Sequence, residues 1–134
     1  MRAIIPLFIL IIVVSGCITT LSGNLTDSTD TEITIPEEME IPAAVCKVKG
    51  IDNRVIAIYR HGCPACDIAI PILEKLEEAL QEDFEFIDLA DPAGSARIDE
   101  LKIIPSYIPT VIIDCKAYIG VKSEEEYREL IEAI

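Results

Sequence analysis

The stretch Arg60-His61-Gly62-Cys63-Pro64-Ala65-Cys66 joins two apolar patterns of different period, and no other part of the chain restricts the fold so tightly. Before it, Val55 to Tyr59 is a continuous apolar run rich in β-branched residues, as expected of a strand buried on both faces. After it, Ile68, Ala69, Ile72, Leu73, Leu76, Ala79 and Leu80 recur on one face of a helix running from Pro64 to about Gln81. Asp67, Glu74, Lys75, Glu77 and Glu78 take the other face. A strand feeding directly into an amphipathic helix points to an α/β domain. It also puts Cys63 on the exposed first turn, where unsatisfied N–H groups and the positive end of the helix dipole favour negative charge. Cys66 follows one turn on, close enough to close a small disulfide. Such a pair carries two-electron exchange: the first sulfur attacks, or is attacked, to give a mixed disulfide, and the second resolves it. Dithiol–disulfide exchange is therefore expected, with Cys63 as nucleophile and Cys66 as resolving thiol.

The rest of the domain is legible in outline. Val45 to Val48 is expected as a short first strand and Lys49 to Asn53 as a turn. Phe84 to Leu89 has the pattern of a further strand, ended by the turn chemistry of Asp91-Pro92-Ala93-Gly94. A short helix from about Ser95 to Lys102 leads to a loop over Pro105 to Pro109. Val111 to Asp114 and Ala117 to Val121 then pair as a hairpin around Cys115-Lys116. Ser123-Glu124-Glu125-Glu126 forms a capping box for a last helix with Tyr127, Leu130, Ile131 and Ile134 as its buried stripe.

This order, with the residues around the cysteines, resembles the thioredoxin superfamily over residues 44 to 134. Pro71 stands five residues after Cys66, where thioredoxins carry a helix-kinking proline, and Tyr107-Ile108-Pro109-Thr110 before an apolar run resembles the family's cis-proline loop. The resemblance implies a thioredoxin-like fold, a central mixed β-sheet flanked by helices. It also implies an Ile108–Pro109 bond facing the two cysteines, whose backbone can pair with an extended substrate segment. Protein thiols or disulfides would be the partners, and a redox-active disulfide would stand in place of any bound cofactor. Two features depart from thioredoxin. The buried acid that lies six residues before its first cysteine falls here on Ala57, and the middle pair Pro-Ala is closer to the Cys-Pro-x-Cys of glutaredoxins or of oxidising periplasmic relatives. The paired glycine with which glutaredoxins surround glutathione is absent, since Gly120 stands alone.

The N-terminal third reads differently. Arg2 precedes the apolar stretch Ala3 to Val14, short for a membrane span, and Val14-Ser15-Gly16-Cys17 resembles a lipobox. Residues 1–16 are expected to be a signal peptide and Cys17 the lipidated N-terminus, giving a domain anchored on the extracytoplasmic face of the cell membrane. An uncleaved anchor helix would give the same location. Residues 17–43 are expected to be a disordered acidic linker, because Asp27, Asp30, Glu32, Glu37, Glu38 and Glu40 meet no Lys or Arg and no apolar period is sustained. Within it, Asn24-Leu25-Thr26 matches a glycosylation sequon. The chain has 11 basic against 24 acidic residues, a net charge of −13, so no basic patch exists to hold nucleic acid.

Five cysteines leave a remainder. With Cys17 assigned to lipid and Cys63 with Cys66 to exchange, Cys46 and Cys115 form a candidate structural disulfide, closing a loop long enough to contribute ~3–4.5 kcal/mol. Two buried thiols, or a second redox pair relaying electrons to Cys66, are the alternatives. A zinc or iron–sulfur site is disfavoured, since the chain has one histidine and no second Cys-x-x-Cys, and no metal is assigned. His61, two residues before Cys63, is a candidate modulator, able to tune the thiols or shuttle a proton where Ala57 cannot. The rival from another class is a copper carrier using Cys63, Cys66 and His61, as soft thiolates suit Cu(I). A redox-inert binding protein is a third, and within the main class a reductase serving one partner, such as an apocytochrome maturation factor, is a fourth.

Overall fold

In a computed structural model, which describes residues 30–134, the long helix and the strand before it form where the sequence places them. Strand β3 spans Val55–Tyr59 and helix α2 spans Pro64–Leu80. The other strands are β1 (Ile33–Ile35), β2 (Met39–Glu40), β4 (Glu85–Asp88), β5 (Ile103–Pro105), β6 (Thr110–Ile113) and β7 (Lys116–Ile119). The other helices are α1 (Ala43–Lys49), α3 (Pro92–Leu101) and α4 (Glu124–Glu132).

Five strands form one mixed sheet in the order β2-β7-β6-β3-β4, and β1 pairs with β5 in a separate two-stranded sheet. Strands β3 and β4 are parallel, joined by α2, while β6 runs antiparallel to both β3 and β7. Successive residues of a strand point to opposite faces, and both faces here are covered. Ile56, Ile58 and Ile112 pack with Ile35, Ile41, Cys46, Leu101 and Ile103 on the side of α1 and α3. Val55, Ala57, Val111 and Ile113 pack with Cys66, Leu73, Leu76, Tyr127 and Ile131 on the side of α2 and α4. The protein is thus an α/β domain with a mixed central sheet between helices, an architecture consistent with a thioredoxin-like fold.

Several local expectations are corrected. Val45 to Val48 is not a strand but the middle of α1. Only Cys46 of that helix is buried, Lys47 and Lys49 lie in its last turn, and Gly50 ends it in the left-handed region at φ 65°. The acidic segment is not a disordered linker up to Ala43. Ile33, Ile35 and Ile41 are 8%, 0% and 1% exposed, and they carry β1 and β2 into the fold. Asp91 to Gly94 is not a terminating turn. Asp91 caps α3, its carboxylate accepting the Ala93 N–H at 3.0 Å, and Pro92 opens the helix. Gly94 stands in that helix because a Cβ there would lie 1.9 Å from the Asp88 carbonyl oxygen. The hairpin turns at Asp114-Cys115, both at positive φ, rather than at Cys115-Lys116. The capping box is present as expected: Ser123 Oγ accepts from Glu126 N–H, and the Glu126 carboxylate accepts from Ser123 N–H.

Cys46 and Cys115 are disulfide-bonded, with Cα atoms 5.8 Å apart. Cys46 is in α1 and Cys115 in the β6–β7 turn. The same turn receives a hydrogen bond from Ile41 N–H to the Cys115 carbonyl at 2.7 Å, so the bridge and the N-terminal strand are fastened at one place.

Candidate active site

The site forms at the sheet end where β3 stops and β6 starts. By register Ile58 lies opposite Thr110, which brings the loop after Tyr59 beside the loop before Thr110. Leaving β3, the chain turns through Gly62 at φ 82°, a left-handed conformation that glycine adopts without steric cost, and arrives at Cys63. Cys63 is the N-cap of α2, in extended conformation (φ −89°, ψ 119°), followed by Pro64 in the first turn. Its sulfur accepts the Cys66 backbone N–H at 3.2 Å, so an orphan donor of the helix points at the sulfur. Cys63 is half-buried, whereas Cys66 is 1% exposed; both are unbonded thiols.

Burial pushes the Cys66 thiol up, to about 11. The hydrogen bond with the Cys63 side chain adds to the rise, and a hydrogen bond with the Arg60 backbone works against it. The proton on Cys66 is thus held firmly at neutral pH. Ala57, six residues before Cys63, is 1% exposed and lies in the same apolar cluster as Cys66. Thr110 is the only buried polar residue among those described, its hydroxyl donating to the Tyr107 carbonyl at 2.6 Å.

The proline loop is tied to the hairpin beside it. Gly120 N–H donates to the Pro109 carbonyl at 2.9 Å, and the Ile108–Pro109 peptide bond is cis. Pro109 is buried, and Ile108 packs, as Cys63 does, against the cluster that holds Cys66. Pro71 lies inside α2 and lines, with Tyr59, His61, Cys66, Asp67, Ile70 and Glu74, an open groove beside the second sulfur. His61 itself is exposed. Its backbone N–H donates to Asp88 Oδ1 at 3.1 Å, and the same oxygen accepts the Ala90 N–H at 2.9 Å. These bonds, first the one from Ala90 and then the one from His61, hold the Asp88 carboxyl below its ordinary range.

The fold therefore brings together Cys63, Cys66, His61, Ile108 and Pro109. It sets the Cys46–Cys115 bridge apart, at the end of β6 away from Thr110. Cys17 and the signal segment lie outside the described residues. Asp88 has a place in the site that no motif signals, because its role depends on the β3–β4 register, in which it stands opposite Tyr59. Among the described residues no group of three or more His, Cys, Asp or Glu side chains is placed to hold an ion, and Cys63 and Cys66 alone would offer a soft cation such as Cu(I) two sulfur ligands. Compared with known proteins, the chain matches no family model, and no curated sequence is significantly similar to it.

Proposed function

We propose that the protein is a thioredoxin-like disulfide oxidoreductase, exchanging disulfides with protein partners through Cys63 and Cys66. It would be tethered by lipid on Cys17 at the extracytoplasmic face of the membrane. The observation that carries this is the asymmetry of the two thiols at the start of α2: one half-exposed and aligned with the helix N-terminus, the other buried one turn behind it. The accessible sulfur suits attack on a partner and the buried one, a turn behind it, suits resolution. The Cys46–Cys115 bridge supports the location, as stable structural disulfides belong mostly to oxidising compartments.

In the reducing direction, Cys63 attacks one sulfur of a partner disulfide and the first partner thiol leaves. Cys66 then attacks Cys63 and the second partner thiol leaves, so the pair is oxidised as the partner gains two electrons. The oxidising direction is the reverse.

The test is insulin reduction by the full chain with excess dithiol, and trapping by Cys66→Ser. Wild type should accelerate reduction, Cys63→Ser should not, and Cys66→Ser should accumulate a mixed disulfide that dithiol dissolves. Failure of wild type to accelerate the reaction, combined with stoichiometric Cu(I) binding lost in Cys63→Ser, would replace the proposal by the carrier.

A further inference from the structure

Around Cys66 the core offers, among the described residues, no ionisable side chain placed to accept a proton. The cluster that encloses it is built from Val55, Ala57, Ile70, Leu73 and Val111, and its buried ionisable group other than Cys66 is Tyr127, whose hydroxyl donates to the Gly120 carbonyl at 3.1 Å. The opposite side of Cys66 opens to the groove, whose titratable groups come from three elements. Tyr59 ends β3, His61 is in the loop after it, and Asp67 and Glu74 come from α2. Asp88 and Asp91, beyond the end of the groove, act on Tyr59, and Asp88 interacts with both His61 and Arg60. Burial first, then these acids, push the Tyr59 phenol up, so it stays protonated. Asp67 and Glu74 are exposed, and carboxylates as a class are weaker bases than imidazole. An imidazole is the one group of this set suited to take a proton near neutrality. Its backbone is anchored by the bond to Asp88, which fixes the residue at the groove.

Building on the oxidoreductase function above, we propose that His61 accepts the Cys66 proton through this groove as the mixed disulfide is resolved. With a substrate sulfur joined to Cys63, the Cys66 S–H bond breaks and its proton passes to the imidazole, directly or across one water. The Cys66 thiolate attacks Cys63 Sγ, forming the Cys63–Cys66 bond as the bond to the substrate sulfur breaks. The departing electron pair leaves on the substrate sulfur, which takes the proton back from the imidazolium. The cysteine pair has lost two electrons, the substrate has become a thiol, and His61 is neutral again.

The full chain, reduced at Cys63 and Cys66, is mixed with the aromatic disulfide of thionitrobenzoate. Attack by Cys63 releases one thionitrobenzoate and resolution by Cys66 a second, identified as the phase that Cys66→Ser removes. His61→Gln should slow the second phase relative to the first by about tenfold near pH 7. The deficit should close as the pH is raised far enough for Cys66 to ionise unaided, and imidazole added to His61→Gly should restore the rate. An unchanged second phase, equal slowing of both phases, or a deficit that persists at high pH without imidazole rescue would overturn the proposal. A wild-type chain with no second phase would overturn the oxidoreductase function itself.

Discussion

Asp88 shows how one carboxylate organises a reactive loop from a distance. Its Oδ1 takes the N–H groups of His61 and Ala90, and its carbonyl lies where any Cβ on residue 94 would collide. The loop before Cys63 and the start of α3 are thus both measured from this residue. Its carboxyl titrates below the ordinary 3.8 in the fold, with the Ala90 bond as the leading cause. A depressed acid stabilises the fold above its unfolded pKa, and that contribution is lost as pH falls through the folded value. The His61 and Ala90 amides should therefore be protected from hydrogen exchange at neutral pH and lose protection below the ordinary carboxylate range. Asp88→Ala should remove the protection at every pH. Asp88→Asn, which keeps a carbonyl oxygen, should retain much of it without the acid transition. Equal protection in all three proteins would assign the loop's order to Gly62 and the helix cap instead.

At the scale of elements, the N-terminal segment decides how much of the chain is domain. Ile35 is fully buried in β1, in the same cluster as Cys46, Ile56 and Ile103. Ile35→Ala should lower stability by ~2–5 kcal/mol in denaturant unfolding, the usual range for a deleted core side chain. A residue in a solvated tether would change stability hardly at all. The sequence hides this strand because three residues of alternation among acids, Ile33-Thr34-Ile35, are too few for a period, and their partner β5 is equally short. By contrast the places of β3, α2 and α4 were legible, since their signals are local: a continuous apolar run, a long one-sided stripe and a capping box, although Ile68, Ala79 and Ile134, read into the buried stripes, are exposed. The cysteine pair was legible for the same reason, its geometry being set within one helical turn. The residues 45–48 misled because a helix with one buried position leaves no apolar period, and only the left-handed Gly50 marks its end. Pairing of Cys46 with Cys115, which elimination among five cysteines left as a candidate beside two buried thiols or a second redox pair, is present even though the segment carrying Cys46 is a helix and not the expected strand. Asp88 was not legible, because its place depends on the parallel register of β3 and β4, which no local pattern encodes.

For the molecule as a whole, the net charge of −13 on 134 residues sets a long-range field that no single contact describes. Near the sulfurs Arg60 stands among Asp67, Glu74, Asp88 and Asp91, so the neighbourhood has the same negative sign as the whole chain. Beyond that neighbourhood the net charge is negative, and a diffusing partner meets this long-range field first. Its range is the Debye length, ~30 Å at 0.01 M salt and ~3 Å at 1 M. A peptide disulfide flanked by lysines should therefore react with the reduced chain about tenfold faster than its glutamate-flanked counterpart at low ionic strength. The ratio should fall toward unity as salt approaches ~1 M, with the change confined to the second-order attack by Cys63 and absent from the unimolecular resolution. Salt acts on the encounter and not on the intramolecular step, so this split separates steering by the whole charge distribution from recognition at the groove. A preference that survives at high salt would place the selecting charges within contact distance of the substrate, at Asp67 and Glu74.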